Sequence, residues 1–368
     1  MNFDLSDEQK ILADQVRRLL AKRSSYDHLR ELIGTGAAWD EPLWHEFANL
    51  GFLRASIPEV YGGMGLSALD CGVINAEIGR ANAALPFFSS LVLCAGAIQV
   101  AGSESQRQRW LPELAAGKTV GTMAYADRSR MTVSPSTVDY ADGRISGVAT
   151  PIADAGAAQI AIIPCKQGEQ LVLVLVRLEQ PQVTRRQLQS FDLLRPHYRI
   201  EFENAAAELL DATPATAALG LILDRAAVQV AFEAVGGAEA CVYMARDYAM
   251  HRQIFGRPLA GYQSIKHKLA DLLAALELAR SSAYYAGWTA SEGSEELPKA
   301  AAAARLTSLV AFEQAARENL QVHGGIGYTF EANCHFYYRR ERTLALGLGG
   351  REIWSDRLID TLRRTGVA

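Results

Sequence analysis

The chain has 368 residues, 49% hydrophobic and 21% charged, with a formal net charge of -4. That length exceeds the roughly 250–300 residues one core usually organises, so two or three domains are expected, and the slightly acidic balance supplies no basic field for nucleic acid or an anionic membrane. The five cysteines, Cys71, Cys94, Cys165, Cys241 and Cys334, form no CxxC pair and leave an odd count, which argues against a disulfide framework or a zinc site.

The opening residues lead into a polar helix rather than a basic and then apolar leader, so a reducing, cytoplasmic setting is expected. Ser6 with Gln9 makes a capping-box start, and Leu12, Val16, Leu19 and Leu20 follow at helical spacing. Trp44, Phe47, Ala48 and Leu50 mark a second apolar face that stops at Gly51, and the turn from Ile57 to Gly63 leads into a helix through Ile74 and Ile78. The uncharged stretch Ala83 to Ser103 is diluted by Pro86, Ser89, Ser90, Gly96 and Gln99, which predicts a buried helix with its entry turn and no membrane span. Residues 1–118 thus read as an N-terminal helical domain.

The texture changes after Lys118. β-branched runs at Ile160 to Ile163, Leu171 to Val176 and Tyr198 to Phe202, with turns at Asp142-Gly143 and Gln167-Gly168, predict short antiparallel strands in a middle β domain over 119–212. Long helical patterns return over 213–368, broken at Gly256-Arg257-Pro258 and in the acidic loop Ser291 to Pro298; the Ala300 to Ala304 run continues into Leu306, Leu309, Val310 and Leu320. The expected class is α+β, mainly α.

The third segment contains Arg252-Gln253-Ile254-Phe255-Gly256-Arg257-Pro258-Leu259, then Gln263, then Gln321-Val322-His323-Gly324-Gly325-Ile326-Gly327-Tyr328. An arginine three residues before Phe-Gly offers a guanidinium fork for a pyrophosphate and an aromatic edge for an adjacent ring. Gln321 with Gly324 and Gly325 offers an amide and backbone that a phosphate or adenosine can approach closely. The plainer alternative is a helix C-cap and turn with Arg252 in a surface ion pair. Together, and with Pro58 to Leu66, Ala76-Glu77-Ile78-Gly79 and Gln108-Arg109-Trp110-Leu111-Pro112, these motifs closely resemble the acyl-CoA dehydrogenases.

That resemblance implies an N-terminal helical domain, a middle β-barrel-like domain and a C-terminal four-helix bundle that mediates oligomerisation. It also implies a FAD lying between subunits, with Arg252, Phe255, Gln263, Gln321, Gly324 and Gly325 offered to the adenine and pyrophosphate half of a neighbour's cofactor. An acyl-CoA thioester as substrate and an electron-transfer flavoprotein or similar acceptor are the partners it implies.

Removing the α-proton of an acyl thioester while hydride leaves for a flavin requires a carboxylate. Where the family usually carries Tyr-Glu-Gly-Thr, this chain reads Leu346-Gly347-Leu348-Gly349-Gly350-Arg351-Glu352-Ile353, which places Leu348 at the base position. Some members carry the base on an earlier helix before an arginine, and here that site reads Asp224-Arg225, so Asp224 is the candidate catalytic residue. It is one methylene shorter than glutamate, and a displacement of about 1 Å costs on the order of 100-fold in rate. A solvated or ion-paired aspartate in the first turns of a helix is the competing reading; Glu352 aligns better with a cofactor-side position. The Thr-Glu-Pro-Gly-type loop and the Trp-Ile-Thr strand are replaced by Ala124 to Arg130 and by Thr150-Pro151-Ile152-Ala153, so Pro151 and Ala153 supply neither an indole wall nor a hydroxyl.

Three readings follow from what is kept and lost. One is an incomplete subunit of a hetero-oligomeric acyl-CoA dehydrogenase that completes a homologous partner's FAD site, such enzymes being associated with bulky or steroid-type acyl-CoA. The second is a self-sufficient homotetramer using Asp224; the third is a non-enzymatic acyl-CoA-binding or scaffolding protein. His323 has no nucleophile pattern around it, and His251, His267 and His335 lack metal-ligand spacing, so no metal is expected. Tyr337-Tyr338-Arg339-Arg340-Glu341-Arg342 reads as a solvated or subunit-facing mixed-charge helix.

Overall fold

The computed structural model describes residues 5–125 and 137–364, so most of the Ala124 to Arg130 replacement, from residue 126 onward, lies outside the described residues. Helix α1 (Asp7–Arg23) begins in the reciprocal Ser6/Gln9 box, and α2 (Tyr26–Thr35), α3 (Glu41–Asn49) and α4 (Ala68–Ala81) follow. The Ser67/Asp70 pair caps α4 in the same way, satisfying two orphan N–H groups. The uncharged stretch forms a buried helix after a turn, but its first part, Phe88–Ala95, is π-helical before becoming α5 (Gly96–Ala101); α6 (Glu104–Ala115) closes the domain. Trp44 is fully buried at its centre, its Nε1 donating to the Gly117 carbonyl at 3.0 Å.

Seven strands follow: β1 (Gly121–Met123), β2 (Thr137–Ala141), β3 (Arg144–Ala153), β4 (Ile160–Gln167), β5 (Gln170–Arg177), β6 (Val183–Gln187) and β7 (His197–Leu210). Pairings β4-β2-β3-β7-β5 return to β4 and close a barrel, while β1 adds to β4 and β6 to β7. The β2–β3 hairpin turns on Asp142-Gly143 with both residues at positive φ (49° and 75°), the geometry that matches strand twist. The expectation of antiparallel strands needs a correction: β1 and β2 both run parallel to β4. Ring closure imposes this, because β4 must seal the edge that the β2–β3 hairpin leaves open.

The C-terminal helices are α7 (Ala215–His251), α8 (Gln263–Ser291), α9 (Leu297–His323), α10 (Cys334–Leu346) and α11 (Arg351–Arg364); a two-strand hairpin, β8 (Gln253–Ile254) and β9 (Arg257–Pro258), joins α7 to α8. Helix α7 is long and apolar enough to cross a membrane, but its apolar residues pack against α4, α8 and α9 as the centre of the molecule. The α4–α7 crossing is close because glycine stands on both sides. A Cβ on Gly79 would lie 2.1 Å from the Glu233 carbonyl oxygen, and one on Gly236 would lie 1.8 Å from that of Ala76.

On an open helix surface, Gly→Ala stabilises by about 1 kcal/mol. Here Gly236→Ala is expected to destabilise instead, by about 1–3 kcal/mol, because two packed backbones must separate. Thermal unfolding decides it: a Tm equal to or above that of the parent chain would show that the crossing has slack.

Candidate active site

Glu233 lies in the apolar middle of α7 and is fully buried. An unpaired carboxylate there would be prohibitively costly, so the fold must bring cations to it. Arg195, in the loop before β7, donates to it through two nitrogens at 2.8 and 3.2 Å, and Arg340 of α10 donates from Nη1 at 3.0 Å. Arg340 also pairs through Nε with Asp192, completing a neutral quartet whose side chains are at most 5% exposed. Burial alone would raise the Asp192 carboxyl, but the Arg340 and Arg195 charges outweigh it and hold it below the usual carboxylate range. Ser89 donates to the neighbouring buried Asp154 at 2.5 Å, while burial raises that carboxyl.

The quartet corrects the reading of Tyr337 to Arg342 as a solvated or subunit-facing stretch, since Tyr337, Arg340 and Glu341 are each 1% exposed. Pairing with Glu233 and Asp192 draws Arg340 inward. None of these residues was singled out from sequence apart from that run, although a lone carboxylate amid Val230, Ala231, Phe232, Ala234 and Val235 was a legible signal of a distant cation.

Beside the quartet, a cavity of about 500 Å³ opens between the barrel and α10, lined by Tyr125, Pro151, Phe191, His197, Tyr338 and Leu346 among others. Past Tyr125 and His197 an inner cleft between Phe88, Ala153, Val230 and Leu348 holds only about 10 Å³. That is scarcely room for one water. Pro151, Ala153 and Leu348, the positions that resemblance assigns to flavin wall and base, therefore converge. No carboxylate lines either space among the described residues.

Leu348 is 1% exposed at φ 60°, and its carbonyl accepts from Trp354 Nε1 at 2.8 Å. Arg305 reaches over from α9, its Nη2 donating to the carbonyls of Leu344, Gly347 and Gly349. This places a cation at the carbonyl end of α10 and fixes the loop. The Arg305 and Arg357 guanidinium groups lie 5.3 and 5.5 Å from the Trp354 ring.

Asp224 is 3% exposed and paired with Arg357 of α11 at 2.7 Å, and it lines neither the cavity nor the cleft. Burial raises its carboxyl and Arg357 opposes that rise. Glu352 is exposed in the first turn of α11.

The remaining candidates gather at one end of the helical bundle. Arg252 follows α7 directly, and Phe255, 95% exposed at φ 48°, tips the β8–β9 hairpin. The hairpin is held by Leu259 N–H to the Arg252 carbonyl at 2.7 Å and by the Tyr262 hydroxyl to the Ile254 carbonyl at 2.9 Å. Gln263 opens α8 beside it. The ring of His323, last residue of α9, stacks on Tyr248 at 4.1 Å, which carries Gln321, Gly324 and Gly325 to the end of α7. Gly324 and Gly325 have no atom within 4 Å of a built Cβ, so their backbone is open to a ligand.

Residues 6–118 match the family model described as acyl-CoA dehydrogenase, N-terminal domain, and residues 216–362 match acyl-CoA dehydrogenase, C-terminal domain. Acyl-CoA dehydrogenase IpdE2 of Mycobacterium tuberculosis is 29% identical over 335 residues, 91% of each chain. A variant of the Tcur3481–Tcur3483 steroid ACAD superposes with a TM-score of 0.90 at 26% identity, covering 98% of this chain and 99% of the other. The ChsE4–ChsE5 complex from Mycobacterium tuberculosis shares the fold with a TM-score of 0.90 at 23% identity, covering 99% of each chain.

Arg195→Met is expected to cost about 3–5 kcal/mol in denaturant unfolding, because it strands Glu233. A loss below about 1 kcal/mol would show that Arg340 alone suffices. Glu341 behaves differently: burial, partly offset by Arg342, pushes its carboxyl up to about 7. A raised folded pKa gives stability that is full below the unfolded value near ~4.3 and is lost as pH rises through the folded value. Glu341→Gln should therefore remove a decline on the order of 1–3 kcal/mol between about pH 5 and about pH 8. Parallel stability profiles for variant and parent would refute that assignment.

Proposed function

The chain belongs to the acyl-CoA dehydrogenase family, and from that premise we propose that it is the incomplete subunit of a hetero-oligomer. In this reading it lends half of a FAD site to a homologous partner chain that holds the flavin ring and the base. The observation that carries it is an asymmetry within one molecule. The bundle end with Arg252, Phe255, Gln263, Gln321, Gly324 and Gly325 is open, whereas Leu348 is packed shut beside a cleft of about 10 Å³.

The bundle end fits the adenine and pyrophosphate half of FAD. Arg252 is exposed and has no carboxylate partner among the described residues, Gln263 and Gln321 present amides, and the glycines leave backbone uncovered. The flavin half does not fit equally well, since Pro151 and Ala153 offer no indole or hydroxyl and, among the described residues, no lining carboxylate can take an α-proton. Bound FAD would supply the hydride acceptor for α,β-dehydrogenation of an acyl-CoA thioester. The role of this chain is to bind and orient: Arg252 neutralises phosphate charge, and Phe255 covers a ring from the side.

The likeness to the steroid ACAD supports a bulky or steroid-type acyl-CoA, and the likeness to the ChsE4–ChsE5 complex supports a homologous partner, in a tetramer that passes electrons to an electron-transfer flavoprotein or similar acceptor. The self-sufficient reading is disfavoured by the Asp224–Arg357 ion pair, which engages the one candidate base away from the cavity. The scaffolding reading leaves the open cofactor-type end without a role.

The visible spectrum of the chain, alone and co-expressed with a homologous subunit, tests the proposal. Flavin should be retained, and bleached by acyl-CoA, only in the complex. Arg252→Ala in this chain should weaken FAD retention there by about 10–100-fold, as expected for a charge-assisted hydrogen bond. Flavin retained and bleached by the chain alone would overturn the reading.

A further inference from the structure

The cavity between the barrel and α10 has a polar handle that neither the quartet nor the bundle end uses. Tyr125 is 8% exposed, lines both the cavity and the inner cleft, and its hydroxyl makes no hydrogen bond to another described residue. A buried phenol hydroxyl normally finds a partner. The oxygen stands 3.4 Å from where a Cβ on Gly347 would be, so the bare glycine keeps its approach open.

Among the described residues, the rest of the lining carries no free charge. Arg342, its one guanidinium, is held by Glu313 and Glu341, each at 2.8 Å. Burial, and then the Arg195 charge, lower the pKa of His197 beside Tyr125. Pro151, Leu188, Phe191 and Leu346 supply apolar wall. An anion would find no uncompensated cation among the described lining residues, and a plain hydrocarbon would leave the phenol unpaired.

We propose that this cavity is a binding site for a neutral, largely apolar molecule that presents one carbonyl oxygen to the Tyr125 hydroxyl. Among the described residues no carboxylate borders the space. A rigid ketone suits the site better than a flexible chain, since it loses little freedom on entering a preformed apolar space. The site stands independently of the proposed partner, because it needs only this chain.

The test uses the full chain and a fluorescent, neutral propionyl-naphthylamine ketone, whose emission reports both the polarity around it and hydrogen bonding to its carbonyl. Saturable, blue-shifted emission is expected, lost in Leu346→Trp, which blocks the mouth. The parent chain should prefer the ketone over its deoxygenated analogue by about tenfold, and Tyr125→Phe should erase that preference while still binding the analogue. That ratio is insensitive to a modest loss of folded protein. Three results would overturn the proposal: no saturable binding by a chain with intact circular dichroism, equal affinity for the two probes in the parent, or displacement of the ketone by lower concentrations of lumiflavin. The last would make this a flavin-ring site. None of these outcomes bears on whether the bundle end serves a partner, which the co-expression experiment decides separately.

Discussion

The pairing of Glu233 with Arg195 and Arg340 is the constraint on which the rest of the molecule depends. It joins the barrel, the longest helix and α10 at one point, with Asp192 balancing the charge. Such a quartet adds little net energy over a well-packed apolar core, yet losing one member is severe. Its effect is positional: the loop carrying Asp192 and Arg195 and the helix carrying Arg340 can sit in only one relation to α7. The cavity is built from that loop and that helix, so its shape follows from the same ions.

A second layer of fixation acts on the loop after α10. Arg305 gathers three carbonyls, Trp354 takes a fourth, and two guanidinium groups approach the indole at 5.3 and 5.5 Å. This scaffold would hold a catalytic carboxylate at residue 348 as firmly as it holds the leucine. The loop is thus fixed through its backbone carbonyls, independently of which side chain residue 348 carries. Positioning and reactivity reside in different residues, and they can be lost separately.

Local features were legible in the sequence. The Ser6/Gln9 box, the Asp142-Gly143 turn and the switch of texture near Lys118 all act through neighbours in the chain. The motif order drew attention to the bundle end, where Phe255 is 95% exposed and the Gly324-Gly325 backbone is uncovered. The quartet was not legible, because its members stand 38, 107 and 148 residues apart. Reading Tyr337 to Arg342 by helical neighbours gave a mixed-charge face, when the partners of Arg340 lay in two other parts of the molecule. The two readings of Asp224 stayed open for the same reason, since Arg357 stands 133 residues away.

The exposure of the hairpin tip bears on the life of the free chain. Phe255 stands almost wholly in water, and Ile326, Tyr328 and Phe330 expose between 47% and 70% of their surface just beyond the glycine pair. Apolar groups arranged this way favour self-association and capture by chaperones or proteases. If a partner covers that end, a copy synthesised in excess would carry its own mark for removal, and its abundance would follow the supply of that partner.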